Sequence, residues 1–266
     1  MPGLRLLVAL LFALAFGSAR AEPCAHDDET HVTGVSQCLL MRVYGPADPA
    51  TMIVWLHGDV SSGGPASYHF THAKNAAERF AADKVLSIAL VRPGYPDGSG
   101  ESSTVDPAEE RRSDHYTRQN VGEVGAAIER LRLKYKPGSV ILVGHSGGAA
   151  TAAILLGMKP QLAEAAVLVS CPCDLVAWRA ARGRSAWNRS ENPIRWADKV
   201  ATSARVIALT GTADDNTPAE LAKAYVEVLH GRGIDATFQP VAQASHDGAF
   251  RSGDVADAVA RLLRRP

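Results

Sequence analysis

Three side chains that together can perform nucleophilic catalysis occur in this sequence, each in a short polar loop. Ser146 lies in the run Gly-His-Ser-Gly-Gly, Asp214 in Gly-Thr-Ala-Asp-Asp and His246 in Ser-His-Asp-Gly. A serine hydroxyl is a weak nucleophile at neutral pH, and it becomes reactive when a histidine accepts its proton and a carboxylate orients that histidine. The sequence therefore predicts Ser146 as nucleophile, His246 as general base and Asp214 as the acid that orients the base.

The apolar segments that must position these residues are short, rich in β-branched residues and not alternating, which is typical of strands buried on both faces of a parallel sheet. Stretches of helical character separate them, and a Thr-x-x-Glu capping box at Thr217 marks one helix start. The predicted strands cover 52–56, 85–91, 140–143, 165–169, 206–209 and 236–241, and the predicted helices cover 71–82, 116–136, 149–158, 218–230 and 255–263. This alternation predicts an α/β fold with a mostly parallel central sheet and helices on both faces.

All three candidate residues follow predicted strands. Ser146 comes after the strand 140–143 and before a helix of small residues, which is the strand–turn–helix setting of a nucleophile elbow. Asp214 and His246 follow later strands, so the chain order is serine, aspartate, histidine. Ligands of open parallel sheets bind outside the carboxyl ends of the strands, so we expect the three side chains to meet at that edge.

On these motifs the chain resembles the α/β-hydrolases over roughly residues 35–265, whose triad has the same chain order. Its last third resembles the catalytic domain of the prolyl oligopeptidase (S9) family of serine peptidases. The stretches that carry the second resemblance are Asn-Pro-Ile-Arg-Trp-Ala-Asp-Lys at 192–199, Gly-Thr-Ala-Asp-Asp at 211–215 and Ser-His-Asp-Gly at 245–248.

The resemblance implies a serine hydrolase that cleaves a carboxylic ester, thioester or amide through an acyl-enzyme, without a cofactor. We expect no metal site, because no second Cys/His cluster of zinc spacing accompanies Cys171 and Cys173. The resemblance assigns the orienting acid to Asp214 rather than to its neighbour Asp215. No propeller domain precedes the matching part of this sequence, and in those peptidases that domain filters peptides, so an esterase is favoured. The alternatives are a serine peptidase of the same mechanism and a non-catalytic binding protein on a hydrolase scaffold. Acyl transfer to an acceptor other than water also stays open.

Two backbone N–H groups are expected to bind the developing oxyanion. The resemblance to the α/β-hydrolases implies that one is the N–H after the nucleophile, here that of Gly147. The other is an N–H from the loop after an earlier strand, here that of Asp59. If the Asp59 amide donates there, its carboxylate must point away, because a like charge would oppose the oxyanion in a dry site.

The candidate pocket residues are His145 in the elbow, Tyr95 in a loop after a strand, and Trp178 and Trp187 in an insertion at about 172–200. Such folds carry a cap over the site at this insertion. Two interpretations remain equal: a small lid that offers a small-molecule or peptide substrate an apolar wall with cationic edges, or a helix packed on the body with solvated arginines.

Other histidines compete with His246 for the role of base, so position has to decide. His57 lies in a His-Gly turn and is expected to orient that loop through a hydrogen bond. His69, His72 and His115 lie in helical or loop regions and are interpreted as surface groups.

The start of the chain is typical of a secretory signal peptide over residues 1–21: one early cation, an apolar run of about 11 residues, and small residues before the cleavage site. A bilayer span needs roughly 20 apolar residues, so we expect no stable membrane anchor after cleavage. The expected product is exported, periplasmic or extracellular, and forms a single domain over 22–266. Cleavage would leave a net charge of about −2, which favours neither nucleic acid nor an anionic membrane as a partner.

Four cysteines remain in the predicted mature chain, and export would place them where disulfides persist. Cys24 and Cys38 are the most natural pair. Cys171 and Cys173 are separated by one proline and are too local to pair without strain, so a reducible bridge and two free thiols are both open.

Overall fold

Eight strands in the described part of the chain form one sheet in the order β1-β2-β4-β3-β5-β6-β7-β8. The computed structural model describes residues 23–61, 63–103 and 116–264, so the predicted signal peptide and His115 lie outside the described ranges. The strands are β1 (His31–Thr33), β2 (Cys38–Tyr44), β3 (Thr51–Leu56), β4 (Val85–Leu90), β5 (Ser139–His145), β6 (Ala165–Val169), β7 (Arg205–Gly211) and β8 (Asp235–Val241).

Helices cover both faces of this sheet, as the alternating sequence pattern predicts. Apolar residues of α2, α3 and α5 pack on one face, and those of α1, α6 and α7 pack on the other. The helices are α1 (Tyr68–Arg79), α2 (Arg118–Tyr135), α3 (Gly147–Met158), α4 (Leu175–Ala180), α5 (Ala219–Gly231), α6 (His246–Arg251) and α7 (Gly253–Leu263), with short 3-10 helices at Ala81–Asp83 and Pro193–Lys199. The predicted fold class is therefore correct.

The parallel strands bring the three catalytic candidates to one edge. From β4 to β8 all pairs are parallel. His145 at the end of β5 pairs with Val169 at the end of β6, and Gly211 at the end of β7 pairs with Val241 at the end of β8. The loops that begin after these residues consequently start side by side.

The sequence pattern missed the antiparallel strands β1 and β2. β1 has only three residues, and the last three residues of β2 are only partly buried, so neither strand forms a long apolar run. The predicted capping box is also wrong. Helix α5 begins at Ala219 with Pro218 at its cap and no capping side chain. The N–H of Thr217 instead donates to Asp214.

Both disulfides close short segments beside the sheet. Cys24 is bonded to Cys38, as predicted, which ties the chain ahead of β1 to the first residue of β2. Of the two states left open for Cys171 and Cys173, the structure has the bridge, and both residues are fully buried. None of the helices in the described ranges combines the length and the apolar character that a bilayer crossing requires.

Candidate active site

Ser146 sits in a strained turn between β5 and α3. Its backbone has φ 51° and ψ −116°, in the positive-φ region that residues other than glycine rarely occupy. The turn needs glycines around it, because a methyl group on Gly148 would collide with the carbonyl oxygens of Leu56 and His57. This geometry is that of a nucleophile elbow, and it leaves the Ser146 side chain partly exposed.

His246 begins α6 after β8, and Asp214 lies in the loop after β7. The Nδ1 atom of His246 lies 3.0 Å from both carboxylate oxygens of Asp214, whose side chain is 0% exposed. The N–H of Thr217 donates to the same carboxylate at 2.8 Å. Burial opposes the charge of Asp214, but the hydrogen bonds from His246 and Thr217 outweigh it and lower the pKa of Asp214. The carboxylate is therefore ionised and fixes a proton on His246 Nδ1.

The other ring nitrogen of His246 faces an asparagine. Asn216 Nδ2 donates to His246 Nε2 at 3.2 Å, so the lone pair that a general base uses is occupied. Within the described residues no hydrogen bond joins Ser146 to His246, although both line the same cavity. A reaction that starts at Ser146 consequently requires Asn216 to release His246 Nε2.

Two loops supply N–H groups next to Ser146. Gly147 is the first residue of α3, and the first N–H groups of a helix have no acceptor within it. Gly58 lies against Ser146, since a methyl group on it would be 3.0 Å from Ser146 Cβ. The N–H of Gly58 itself donates to the Tyr68 hydroxyl at 2.5 Å. The next N–H along this loop is that of Asp59.

The Asp59 carboxylate lies beside Gly147 rather than remote from it, since a methyl group on Gly147 would collide with Asp59 Oδ1. It accepts from Arg92 Nη1 at 2.9 Å, Tyr95 at 3.1 Å and Tyr116 at 2.8 Å. Burial opposes the charge of Arg92, but Asp59 and the two tyrosines hold its pKa above the ordinary value. A carboxylate paired in this way presents a dipole, not a net charge, to the space beside Ser146.

His145 joins the loop of Gly58 to the loop of His246. Its Nε2 donates to the carbonyl oxygen of His246 at 3.3 Å, and its Nδ1 accepts from the Tyr68 hydroxyl at 2.8 Å. Burial, and next the charge of His246, lower the pKa of His145 to about 3, so this ring is neutral at physiological pH. Ligand atoms of His145, His246 and Asp247 lie within 4.8 Å of one another, but His145 has no lone pair left for a metal ion.

A cavity of about 560 Å³ opens beside these groups. Of the predicted pocket residues, it is lined by His145 and Trp178. Tyr95 does not reach it, because this side chain is 1% exposed and lies against His57, below Asp59. Trp187 does not line it either and instead packs against Trp178.

A larger groove of about 920 Å³ lies at the opposite, amino-terminal edge of the sheet. Its charged side chains are already paired, Lys159 with Glu129 and Arg132 with Glu164. It contains none of the candidate catalytic residues, so we place the candidate active site at the carboxyl edge.

The comparison with protein families agrees with this arrangement. The family model of the alpha/beta hydrolases matches residues 53–264, which is most of the chain. The chain belongs to the alpha/beta hydrolase family.

Solved structures share the fold of this α/β hydrolase at low sequence identity. Est1E from Butyrivibrio proteoclasticus, with bound ferulic acid, is 14% identical with a TM-score of 0.66, covering 88% of this chain and 97% of that chain. The Pyrococcus furiosus esterase Pf2001 is 12% identical with a TM-score of 0.65, covering 92% and 96%. The acylaminoacyl peptidase of Pyrococcus horikoshii is 16% identical with a TM-score of 0.62, covering 84% of this chain and 38% of the peptidase.

The predicted superfamily and its likeness to the S9 peptidases are thereby confirmed. At these identities the structural likeness establishes the fold alone. The comparison with curated protein sequences gave no significant match.

Several residues that hold this site together are missing from the prediction made from the sequence. Tyr68, Arg92 and Asn216 each bond to a catalytic candidate or to its loop. Arg92 could have been found, because it follows the end of β4 at the same sheet edge. Asn216 could have been found in the same way, because it lies in the loop after β7. Tyr68 depends on contacts that local sequence does not record.

Two histidines of the α/β hydrolase lie deeper than their sequence context indicates. The prediction that His69 is a surface group is wrong: it is 0% exposed, and its Nε2 donates to the carbonyl oxygen of Leu90 at 3.2 Å. His57 is buried too, and as expected it orients its loop, because it bonds to the Gly58 carbonyl oxygen and accepts from the Arg92 N–H.

The buried His69 should make the fold sensitive to acid. Burial lowers the pKa of His69 from 6.5 to about 3. Below about pH 6.5 the unfolded chain binds a proton that folded His69 refuses, so stability falls with pH by up to about 1.4 kcal/mol per unit until the folded pKa is reached. We expect the His69→Gln variant to show a shallower loss of Tm between pH 6.5 and 4 than the wild type.

The matched control is His230→Gln, because His230 is exposed at the end of α5. Its Tm should follow the wild-type dependence on pH. The interpretation is wrong if the His69→Gln and wild-type curves run parallel over this range.

Proposed function

We propose that this α/β hydrolase is an exported serine hydrolase that cleaves a carboxylic ester through an acyl-enzyme, with Ser146 as nucleophile, His246 as general base and Asp214 as its orienting acid. The proposal rests on the observation that the Ser146 elbow and the His246–Asp214 pair adjoin the same cavity. The elbow exposes Ser146, and the His246–Asp214 pair lies in the same wall with its proton fixed on Nδ1.

The chemistry follows from these positions. The Ser146 Oγ attacks the carbonyl carbon while its proton moves to His246 Nε2. The N–H groups of Gly147 and Asp59 bind the oxyanion. The intermediate collapses when the bond to the leaving alcohol breaks and His246 returns the proton to the departing oxygen. A water then attacks the acyl-enzyme by the same route, with its proton going to His246, and the acid is released with Ser146 restored.

An ester is favoured over a peptide because the two esterases match this chain over nearly their whole lengths, whereas the peptidase has a large further part without a counterpart in the alignment. The likeness of the acid and histidine motifs to the S9 family supports the second candidate, a peptidase of the same mechanism. The two disulfides and the apolar start of the chain support export, with a signal peptide at 1–21.

We also propose that the segment 172–200 acts as a small lid on a single domain over 22–266. Trp178 of α4 lines the cavity, and its indole N–H donates to the Asn216 carbonyl oxygen at 2.9 Å. Arg179 stacks on Trp187, with its guanidinium 4.2 Å from the ring centroid. The segment therefore combines an apolar wall with cationic edges.

The experiment compares an aryl ester and an aminoacyl anilide that each release a coloured nitroaromatic product, such as 4-nitrophenyl butyrate and alanine 4-nitroanilide, on the purified protein. A fluorophosphonate probe reports on the serine in parallel. We expect hydrolysis of the ester, little of the anilide, and a labelled peptide that contains Ser146. Preference for the anilide would favour the peptidase. Failure of both hydrolysis and labelling would favour a non-catalytic binding protein.

A further inference from the structure

Three arginines line the cavity that holds Ser146. They are Arg182 and Arg184 from the proposed lid segment and Arg251 at the end of α6. Within the described residues none of them forms a salt bridge. The acidic residues in the same wall are Asp247 and Asp59, and the charge of Asp59 is already balanced by Arg92. Among the residues that line the cavity, three arginines therefore stand beside the carboxylate of Asp247, and Asp214 and Asp215, which do not line it, also act on Arg182 through their charges.

Arg182 is held in place by hydrogen bonds to uncharged groups. Its Nη1 donates to the Trp178 carbonyl oxygen at 3.2 Å, its Nη2 donates to Asn216 Oδ1 at 3.0 Å, and its guanidinium lies 4.7 Å from the Trp178 ring centroid. A guanidinium has five N–H donors, so more remain for a ligand. Burial and the nearby charge of Arg184 lower the pKa of Arg182, and the charges of Asp214 and Asp215 offset this only in part.

The same contacts indicate which side of the substrate this cation faces. Asn216 bonds to Arg182 through Oδ1 and to His246 Nε2 through Nδ2. In the proposed reaction His246 Nε2 returns a proton to the leaving oxygen, so the leaving alcohol must lie beside this atom. Asn216 and Arg182 therefore flank the leaving group. Arg251 belongs to α6, the helix that begins with His246.

We propose that the substrate carries a carboxylate or phosphate on its leaving-alcohol side, and that Arg182, together with Arg184 and Arg251, binds it. The inference rests on the proposed serine hydrolase mechanism and names its substrate class, an anionic ester. Arginine suits this role because its planar fork matches the oxygens of carboxylate and phosphate. An anion that takes the Nη2 donor of Arg182 also frees Asn216 Oδ1, which loosens the hydrogen bond that Ser146 must displace at His246.

The test measures kcat/KM for 4-acetoxybenzoate, for its neutral counterpart 4-acetoxybenzamide and for 4-acetoxyphenyl phosphate. Each value is divided by the rate of the same ester with hydroxide, which removes differences in leaving-group reactivity. We expect an anionic ester to be preferred by about tenfold or more, the equivalent of one favourable charge contact. Whichever anion is preferred identifies the group, and the preference should shrink at high salt.

The variants Arg182→Gln and Arg184→Gln, singly and together, should each reduce the anionic-to-neutral ratio, and the double variant should bring it close to one. Arg195→Gln is the matched control, because Arg195 is exposed and does not line the cavity. It should keep the wild-type ratio. If the Arg182→Gln variant fails to fold, the anionic-to-neutral ratio of Arg184→Gln still tests the proposed anion site, since Arg184 is exposed.

Binding is measured separately from catalysis, by calorimetry with 4-hydroxybenzoate, 4-hydroxybenzamide and inorganic phosphate. We expect the carboxylate or phosphate to bind and the neutral amide not to bind, with the difference lost in the double variant. If no ester is hydrolysed but the anions still bind through these arginines, the proposed reaction fails while the anion site stands. An anionic-to-neutral ratio near one in the active wild type, or equal binding of the charged and neutral phenols, overturns the inference.

Discussion

Replacing Ser146 by alanine should lower ester turnover by about 10⁶-fold, the scale at which triad serines fail elsewhere. The reason is that Ser146 is the strained serine that lines the cavity beside His246. Ser170, after β6, also has a positive φ of 49°, but it is 0% exposed, does not line the cavity, and its hydroxyl donates to the carbonyl oxygen of His246. Alanine keeps the Cβ and can occupy the same backbone turn at similar cost, so the fold should survive. The measurement is single-turnover hydrolysis with parallel fluorophosphonate labelling and Tm.

Ser61→Ala is the matched control, because Ser61 lines the same cavity and loses the same hydroxyl. It should retain turnover within about tenfold and remain labelled, in line with a surface substitution away from the reacting atoms. Labelling that survives in Ser146→Ala would place the nucleophile on another residue.

The second large effect separates two neighbouring carboxylates. Asp214→Asn should lower turnover by about 10⁴-fold, because an amide that donates to His246 Nδ1 forces the proton onto Nε2, where it cannot accept from Ser146. Asp214 is 0% exposed and bonds to His246 and to the N–H groups of Asn216 and Thr217. Its oxygen in the asparagine variant can still accept from those N–H groups, so the loop should persist.

Asp215→Asn is the control that the chain itself provides. Asp215 is exposed, and within the described residues its side chain forms no hydrogen bond or ion pair. Turnover should change by less than about tenfold, as expected for a surface charge. Steady-state kinetics of the two variants, with Tm recorded for both, decides the assignment. The reverse ranking would mean that the resemblance assigned the acid to the wrong residue.

The sequence by itself determined the fold class and the three residues proposed for catalysis. Local sequence patterns predict both. A strand such as β3, buried on both faces, must be apolar without alternation, and an elbow must have glycines where α3 passes close to β3. The position of Asp214 and His246 after successive strands then placed them at the edge where Ser146 emerges, because parallel strands end together.

The tertiary structure alone decided which polar side chains support this site. The chain from Gly58 through Tyr68 to His145 and on to His246 joins segments far apart in sequence, and no local period records such contacts. The hydrogen bond between Asn216 and His246 is likewise a tertiary contact. So is the pairing of β1 and β2, which is antiparallel and brief.

Burial of polar groups was decided in the same way. In sequence His69 looks like a surface residue and Tyr95 like a pocket residue, but a polar side chain can be buried wherever the packed structure offers it a hydrogen-bond partner. Thr217 does not have its predicted capping role. Its N–H donates to Asp214, and helix α5 begins with Pro218 at its cap. The local sequence allows more than one environment for a polar side chain. Long-range packing selects among these environments, because a buried polar group left unpaired costs more free energy than a local preference supplies.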